Sequence, residues 1–352
     1  MKMLYFKKSG AIFLIFFAIG IVQLHAEEAS KRVAKSFNIS GDTRIDIGNK
    51  YGDVIIKRWD KNVLDLKVNI EANGKNETKT QKILDAIEIT ISDRISSGSL
   101  SIQTEIGNIN GDGSFSINYE ISMPNTNPMS LRNSFGNVYM GSYQGELDLE
   151  VKYGQLMAED LDQASVRIEF SNSRCEIETL SSGELDVRYS KLTIDEAGDI
   201  RISSQFSDLE IENAGHLEVE GKYGSFEIEN LRSLTGDIQF AGLDIEWLEE
   251  SLHLETRHGD GINLDKVSSR FKDIDIASQF SSVAISVEKG VAARLEFDLQ
   301  FGNLRAVGEG INFNKVVKDH TTSEYEGYLV NANATSSIKV AAKYANIRFD
   351  VD

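Results

Sequence analysis

The chain has 352 residues, a formal net charge of −18, one Cys and two Pro. A single cysteine excludes an internal disulfide framework. So acidic a chain is ill suited to nucleic acid, whose binding rests on Lys and Arg neutralising phosphates, or to an anionic membrane surface.

Lys2, Lys7 and Lys8 form a positive start, an apolar run follows from Ala11 to Val22, and Ala26 offers a small residue before Glu27. This order predicts a secretory signal peptide over 1–26, because the run is shorter than the roughly 20 residues that a membrane span needs. The protein is therefore expected to be exported, to the periplasm, the cell surface or beyond, with no transmembrane segment in the mature chain. Three lysines and no acid leave with the peptide, so the mature chain stands nearer −21. Residues 27–33 are polar and predicted to be mobile. Residues 34–72 read as one coil around Tyr51, and 73–82 as a polar loop with a short helix near Lys79 to Ala86. Residues 87–123 read as longer alternating strands (Ile87, Ile89, Ile91; Phe115, Ile117, Tyr119, Ile121). Together 27–123 form an N-terminal coil and β-rich cap region, and 124–352 a repeat domain. The stretch 310–336 is irregular and polar and predicts an excursion before the last coil. Cys175 is expected to be a small buried apolar residue.

The repeat is a polar residue, an aromatic and a small residue. Its aromatic position is filled by Tyr51, Phe135, Tyr153, Phe170, Tyr189, Phe206, Tyr223, Phe240, His258, Phe280, Phe301 and Tyr344. Gly, Ala or Ser follows every one of the twelve. Residues before each aromatic alternate apolar and polar, as in Leu147, Leu149, Val151 and Leu295, Phe297, Leu299, which is the period of a strand with one buried face. The aromatic shares the parity of these apolar residues, so it is expected to point inward. After the small residue the phase slips, and the next apolar residues stand three and five past the aromatic (Leu192 and Ile194; Leu209 and Ile211; Val283 and Ile285). Each repeat of about 17 to 22 residues thus predicts strand, corner, strand, turn. Antiparallel hairpins would need Asn-Gly or Asp-Gly loops at every reversal, and none recur. Stacked parallel coils remain: an all-β solenoid whose aromatics form an inner ladder about 4.8 Å apart. The outward columns Glu150, Arg167, Asp186 and Lys152, Glu169, Arg188 alternate in sign, as an in-register stack would favour.

Tyr51-Gly-Asp-Val-Ile-Ile-Lys-Arg-Trp-Asp, Tyr119-Glu-Ile-Ser-Met-Pro and Leu131-Arg-Asn-Ser-Phe-Gly-Asn-Val resemble the bacterial putative-adhesin β-strand-repeat family, a domain of unknown function related to the head GIN adhesins. The resemblance spans about residues 36–352. It implies a right-handed parallel β-helix in the bacterial envelope and supplies no catalytic residues.

The residues themselves give no zinc spacing, nucleophile elbow or phosphate loop. His253 and His258 lie five apart on one alternating strand, hence on opposite faces, and His258 reads as a core substitute at an aromatic position. Gly111-Asp-Gly and Gly259-Asp-Gly read as turns. Six residues past the aromatic, successive coils carry Glu159, Glu176, Asp195, Glu212, Glu229 and Glu246, with Asp265 extending the column across a one-residue insertion. Carboxylates about 4.8 Å apart either form a solvated acidic face or bridge Ca²⁺ at about 2.4 Å per oxygen. No other cofactor is implied. The expected function is a non-enzymatic structural or interaction protein of the envelope, an adhesin, whose partner is an envelope protein or glycan. A carbohydrate-active β-helix using a carboxylate pair and an accessory of envelope signalling are the alternatives.

Overall fold

The structure, a computed structural model, describes residues 27–109, 113–171 and 173–352. The expected signal peptide and the turn at Gly111-Asp112 lie outside the described residues. The N-terminal region contains β1 (Glu27–Asn38), β2 (Arg44–Lys50), β3 (Val54–Arg58), β4 (Val63–Gly74), helix α1 (Glu77–Asp85), β5 (Ile87–Arg94), β6 (Ser99–Ile106) and β7 (Gly113–Met123). The repeat continues through β8 (Met129–Ser134), β9 (Val138–Met140), β10 (Tyr143–Lys152), β11 (Leu156–Glu169), β12 (Arg174–Arg188) and β13 (Lys191–Arg257). It ends with β14 (Ile262–Val267), β15 (Asp273–Gln279), β16 (Val283–Val287), β17 (Ala293–Gln300), β18 (Leu304–Val307), β19 (Ile311–Lys318), β20 (Thr322–Leu329), β21 (Ser337–Lys343) and β22 (Ile347–Val351). All 22 strands belong to one sheet.

The coil from Tyr189 to Phe206 shows how sequence makes the cross-section. Ser190, Leu192, Ile194, Ala197, Ile200, Ile202 and Ser204 are buried. Spacings of two lie along strands. Spacings of three, at Ile194 to Ala197, Ala197 to Ile200 and Ser204 to Ser207, turn the chain while keeping an inward residue on each side. A coil therefore has two long faces and one narrow face occupied by a single small residue. The next coil repeats the pattern with Ser207, Leu209, Ile211, Ala214, Leu217, Val219 and Gly221, all buried. Successive coils pair in parallel, as in Leu149↔Val166, Val166↔Leu185 and Leu185↔Ile202. Stacking matches apolar side chain to apolar side chain and makes one continuous core.

The columns of alternating sign are present. Lys152 lies 2.7 Å from Glu150 and 3.4 Å from Glu169, and Arg167 3.7 Å from Glu150 and 3.1 Å from Asp186. Each such half-exposed pair contributes at most about 1 kcal/mol, so their role is register more than stability. A second cluster joins three coils: Glu250 accepts from Arg232 at 3.0 Å and from Lys272. These two bonds hold its carboxyl at about 2, against an ordinary 4.5. A carboxyl depressed in the folded state stabilises above its ordinary pKa and loses that contribution as it protonates. Glu250→Gln should therefore cost stability near neutrality, and the gap to wild type should close as pH falls from 4.5 to about 2. Acid titrations of both proteins, followed by urea unfolding, check this; a gap that stays constant across the window contradicts it.

Several expectations for the ends are corrected. Residues 27–33 are not mobile: β1 pairs antiparallel with β4 along its whole length. The helix near 79–86 exists as α1, with the Asn76 side chain accepting from the Lys79 N–H at 3.0 Å and Thr80, Ile83 and Leu84 buried. Of residues 310–336 only 330–336 are irregular, and 311–329 are ordered. Residues 311–329 form the antiparallel hairpin β19–β20, and β20 pairs antiparallel with β17, covering that edge.

The coils do not stack in chain order at either end. β2 lies between β6 and β8, and β3 between β7 and β9. Hence the segment 99–123 supplies a coil outside the first one. At the other end β21 lies between β15 and β17, and β22 between β16 and β18. The last coil in sequence is thus the second from the end in space.

Candidate functional site, an exposed aromatic ladder

The twelve aromatic positions stack, but outside the core. Every one has positive φ, from +50° at Tyr189 to +61° at Tyr51. The eleven Tyr and Phe rings are 38–51% exposed, and His258 is exposed as well. The inward ladder read from the sequence is therefore wrong, and so is the core role for His258. Alternation of side chains holds only while the backbone stays extended. A left-handed residue breaks the pleat, swings its own side chain out, and brings the following residue in. That residue is buried at Ser171, Ser190, Ser207, Ala241, Ser281 and Ala345. The phase slip thus occurs at the aromatic rather than at the small residue.

Inside the corner the small residue has little room. At Gly136 a Cβ would stand 2.0 Å from the Gly52 carbonyl oxygen, and at Gly154 1.9 Å from that of Gly136. Where serine replaces glycine its hydroxyl joins neighbouring coils. The Ser171 N–H donates to Ser190 Oγ at 3.0 Å, and the Ser190 N–H to Ser207 Oγ at 3.1 Å.

Consecutive rings lie 4.6–5.1 Å apart between centroids with interplanar angles of 2–11°. Phe115 closes the N-terminal end, edge-on to Tyr51 at 5.3 Å. A bulky L-residue in the left-handed region costs roughly 1–2 kcal/mol, and an aromatic pair returns about 0.5–1.5. The stack therefore roughly offsets the strain without producing a large surplus.

The spatial order is Tyr51, Phe135, Tyr153, Phe170, Tyr189, Phe206, Tyr223, Phe240, His258, Phe280, Tyr344, Phe301. Intercalation of the last coil places Tyr344 between Phe280 and Phe301. In this order Phe occupies every second rung, and Tyr or His every other.

The acidic column is re-registered at one rung. Glu176 pairs with Met157 and Thr193, not with Glu159. Two extra residues follow Ser171, so the first apolar residue after Phe170 is Cys175, five positions on. Glu178 falls beside Asp195 instead, between the pairs Ile177↔Ile194 and Thr179↔Glu196. Glu159, Glu178, Asp195, Glu212, Glu229, Glu246 and Asp265 are all exposed. Glu210, Glu227 and Asp244 flank part of the column in a shallow furrow of about 450 Å³. Among the described residues, no group of three or more His, Cys, Asp and Glu side chains is arranged to hold a metal ion.

Other candidates have structural roles. Cys175 is buried, and burial pushes its thiol pKa up. His253 pairs with Asp273, and His216 with Ser233, both on exposed strand faces.

The chain resembles putative adhesins of known structure. One is a putative cell adhesion protein from Clostridium sporogenes, 10% identical, covering 92% of this chain and 100% of that one with a TM-score of 0.26. Another is a putative adhesin from Bacteroides fragilis, 12% identical over 92% of this chain and 97% of that one, with a TM-score of 0.22. A third, from Parabacteroides distasonis, is 8% identical over 90% and 97%, with a TM-score of 0.29. No family model and no curated protein matches the sequence. Among the described residues no helix is long and apolar enough to cross a membrane.

Proposed function

We propose that this chain is a non-enzymatic interaction protein of the cell envelope, an adhesin, whose stack is a right-handed parallel β-helix displaying the aromatic ladder as its recognition surface. The family resemblance implies the right hand, and the general preference of parallel strand crossovers supports it. The expected export signal directs the protein to the envelope. The observation that carries the functional reading is the ladder itself. Twelve rings stand outward at strained positive φ; the N-terminal inversion keeps the coil of residues 99–123 from interrupting the row, and the C-terminal one keeps Tyr and Phe alternating. Strain repeated at exposed positions marks a surface held for use, and contiguous exposed apolar surface marks interaction.

The test is saturable cosedimentation of the purified chain, from residue 27 onward, with isolated cell envelopes. A Tyr189→Ser/Phe206→Ser/Tyr223→Ser variant should bind at least about tenfold more weakly while keeping the far-UV spectrum of a sheet. Binding that is absent in the wild type, or unchanged in the variant, would sink this reading.

A further inference from the structure

The residue before each ring completes a pattern that appears only in spatial order. Along the ladder it reads Lys50, Ser134, Lys152, Glu169, Arg188, Gln205, Lys222, Gln239, Arg257, Gln279, Lys343, Gln300. The register pairs Lys50 with Ser134, Lys152 with Glu169, Arg188 with Gln205, and Lys343 with both Gln279 and Gln300. Every Tyr or His rung carries a cation, and every Phe rung a Ser, Gln or Glu. In chain order Phe301 follows Phe280 and the alternation breaks; intercalation of the last coil puts Tyr344 between them and restores it. Avoiding like charges on adjacent strands accounts for the alternating cations. It does not account for Tyr and Phe alternating in step with them.

Stacking uses the negative faces of the rings and leaves their positive edges to solvent. The Tyr51, Tyr153, Tyr189, Tyr223 and Tyr344 hydroxyls have no hydrogen-bond partner among the described residues, and Lys50, Lys222 and Lys343 no ion pair. Lys152 pairs with Glu150 and Glu169, Arg188 with Asp186, and Arg257 with Glu255 and Asp237, so among the described residues three of the six ladder cations are free of ion pairs on this acidic protein. A cation recurs every second rung, about 10 Å apart, with a Tyr hydroxyl beside it on every such rung but that of His258.

We propose, on the reading that this ladder is the recognition surface, that it binds an extended acidic polysaccharide with a two-sugar repeat and one acid group per repeat. One sugar lies across each rung. The acid of each disaccharide meets the Lys or Arg of a Tyr rung, and the uncharged sugar meets the Phe rung. A polymer with an acid on every sugar would place half its charges over rungs without a cation.

The test compares hyaluronan oligosaccharides, with one carboxylate per two sugars, against oligogalacturonates, with one per sugar, and neutral cello-oligosaccharides. Titration calorimetry should show hyaluronan binding preferred, strengthening with length up to about one sugar per rung and weakening with salt. Lys222→Gln/Lys343→Gln should lower affinity about tenfold, the loss of two exposed charge contacts. Lys75→Gln/Lys82→Gln, with the same change in net charge, should leave it unaltered. Matching thermal midpoints establish that each variant is folded. Equal affinity for oligogalacturonate overturns the two-rung match, and no binding of any acidic oligosaccharide overturns the ligand class. Self-association abolished by the ladder lysine substitutions would identify a second copy as the occupant instead. Envelope binding that survives any of these failures leaves the broader reading standing.

Discussion

Deleting residues 206–239, two whole coils, should leave a folded protein, whereas deleting residues 206–214 should abolish cooperative unfolding. The first deletion joins Gln205 to Phe240, so Tyr189 stacks on a Phe as before. Each inward column loses two members and keeps its phase. In a stack where coils touch only their neighbours, this removes two units and their interfaces and nothing else. The second deletion brings residues of one long face onto the position of the other. Leu217, Val219 and the residues after them then meet the wrong partners, and outward charges such as Glu218 and Glu220 approach the core. That error exceeds the roughly 5–15 kcal/mol available to a domain. Urea unfolding followed by circular dichroism distinguishes the two. Similar transitions for both deletions would mean that the coils are not equivalent units.

The second large effect is expected at Tyr143, which packs where the cap meets the repeat. Its ring is 2% exposed, and its hydroxyl donates to the Asn127 carbonyl at 2.6 Å. Asn127 in turn donates from Nδ2 to the Ser40 and Thr43 carbonyls at 2.7 and 3.0 Å. The side chain therefore both fills the core and anchors a link between the first coil and the second. Tyr143→Ala should cost about 3–5 kcal/mol, in the range for emptying a buried aromatic site. Tyr143→Phe keeps the volume and strands the Asn127 carbonyl, for a loss of about 1–3 kcal/mol. Denaturation midpoints of the two variants separate packing from hydrogen bonding. A Phe variant as stable as wild type would show that the carbonyl is satisfied without Tyr143.

The inward positions were legible because extended backbone forces alternation. Leu192 and Ile194, Leu209 and Ile211, and Val283 and Ile285 are buried as their spacing predicts. Leu304 was expected to be buried too and is only partly so, because it lies on β18, where no further strand pairs. The ladder's existence and spacing were equally plain from twelve recurring aromatics. Its direction was not, because bulky residues rarely adopt positive φ, and parity arguments assume that they do not. The clue was the small residue after each ring, whose parity becomes inward once the ring turns out. Glu176 was misplaced for a different reason: counting from the aromatic ignores where extra residues enter. Counting from Cys175 and Ile177 would have selected Glu178. The order of the end coils leaves no local signal, since strands of the same pattern can pair in any sequence. Only the Tyr and Phe alternation, repaired when Tyr344 precedes Phe301, records it.

The intercalated final coil also determines how the molecule carries tension. β21 is hydrogen-bonded along both edges, to β15 and β17, and β22 likewise to β16 and β18. A force applied at the C-terminus must break two rows of bonds at once instead of peeling away an outer strand held by one row. At the opposite end β1 is an outer strand and yields first, after which β2 and β3 are again clamped on both sides. Pulled from its two ends, the stack would release one outer antiparallel strand and then resist, with the ladder still assembled.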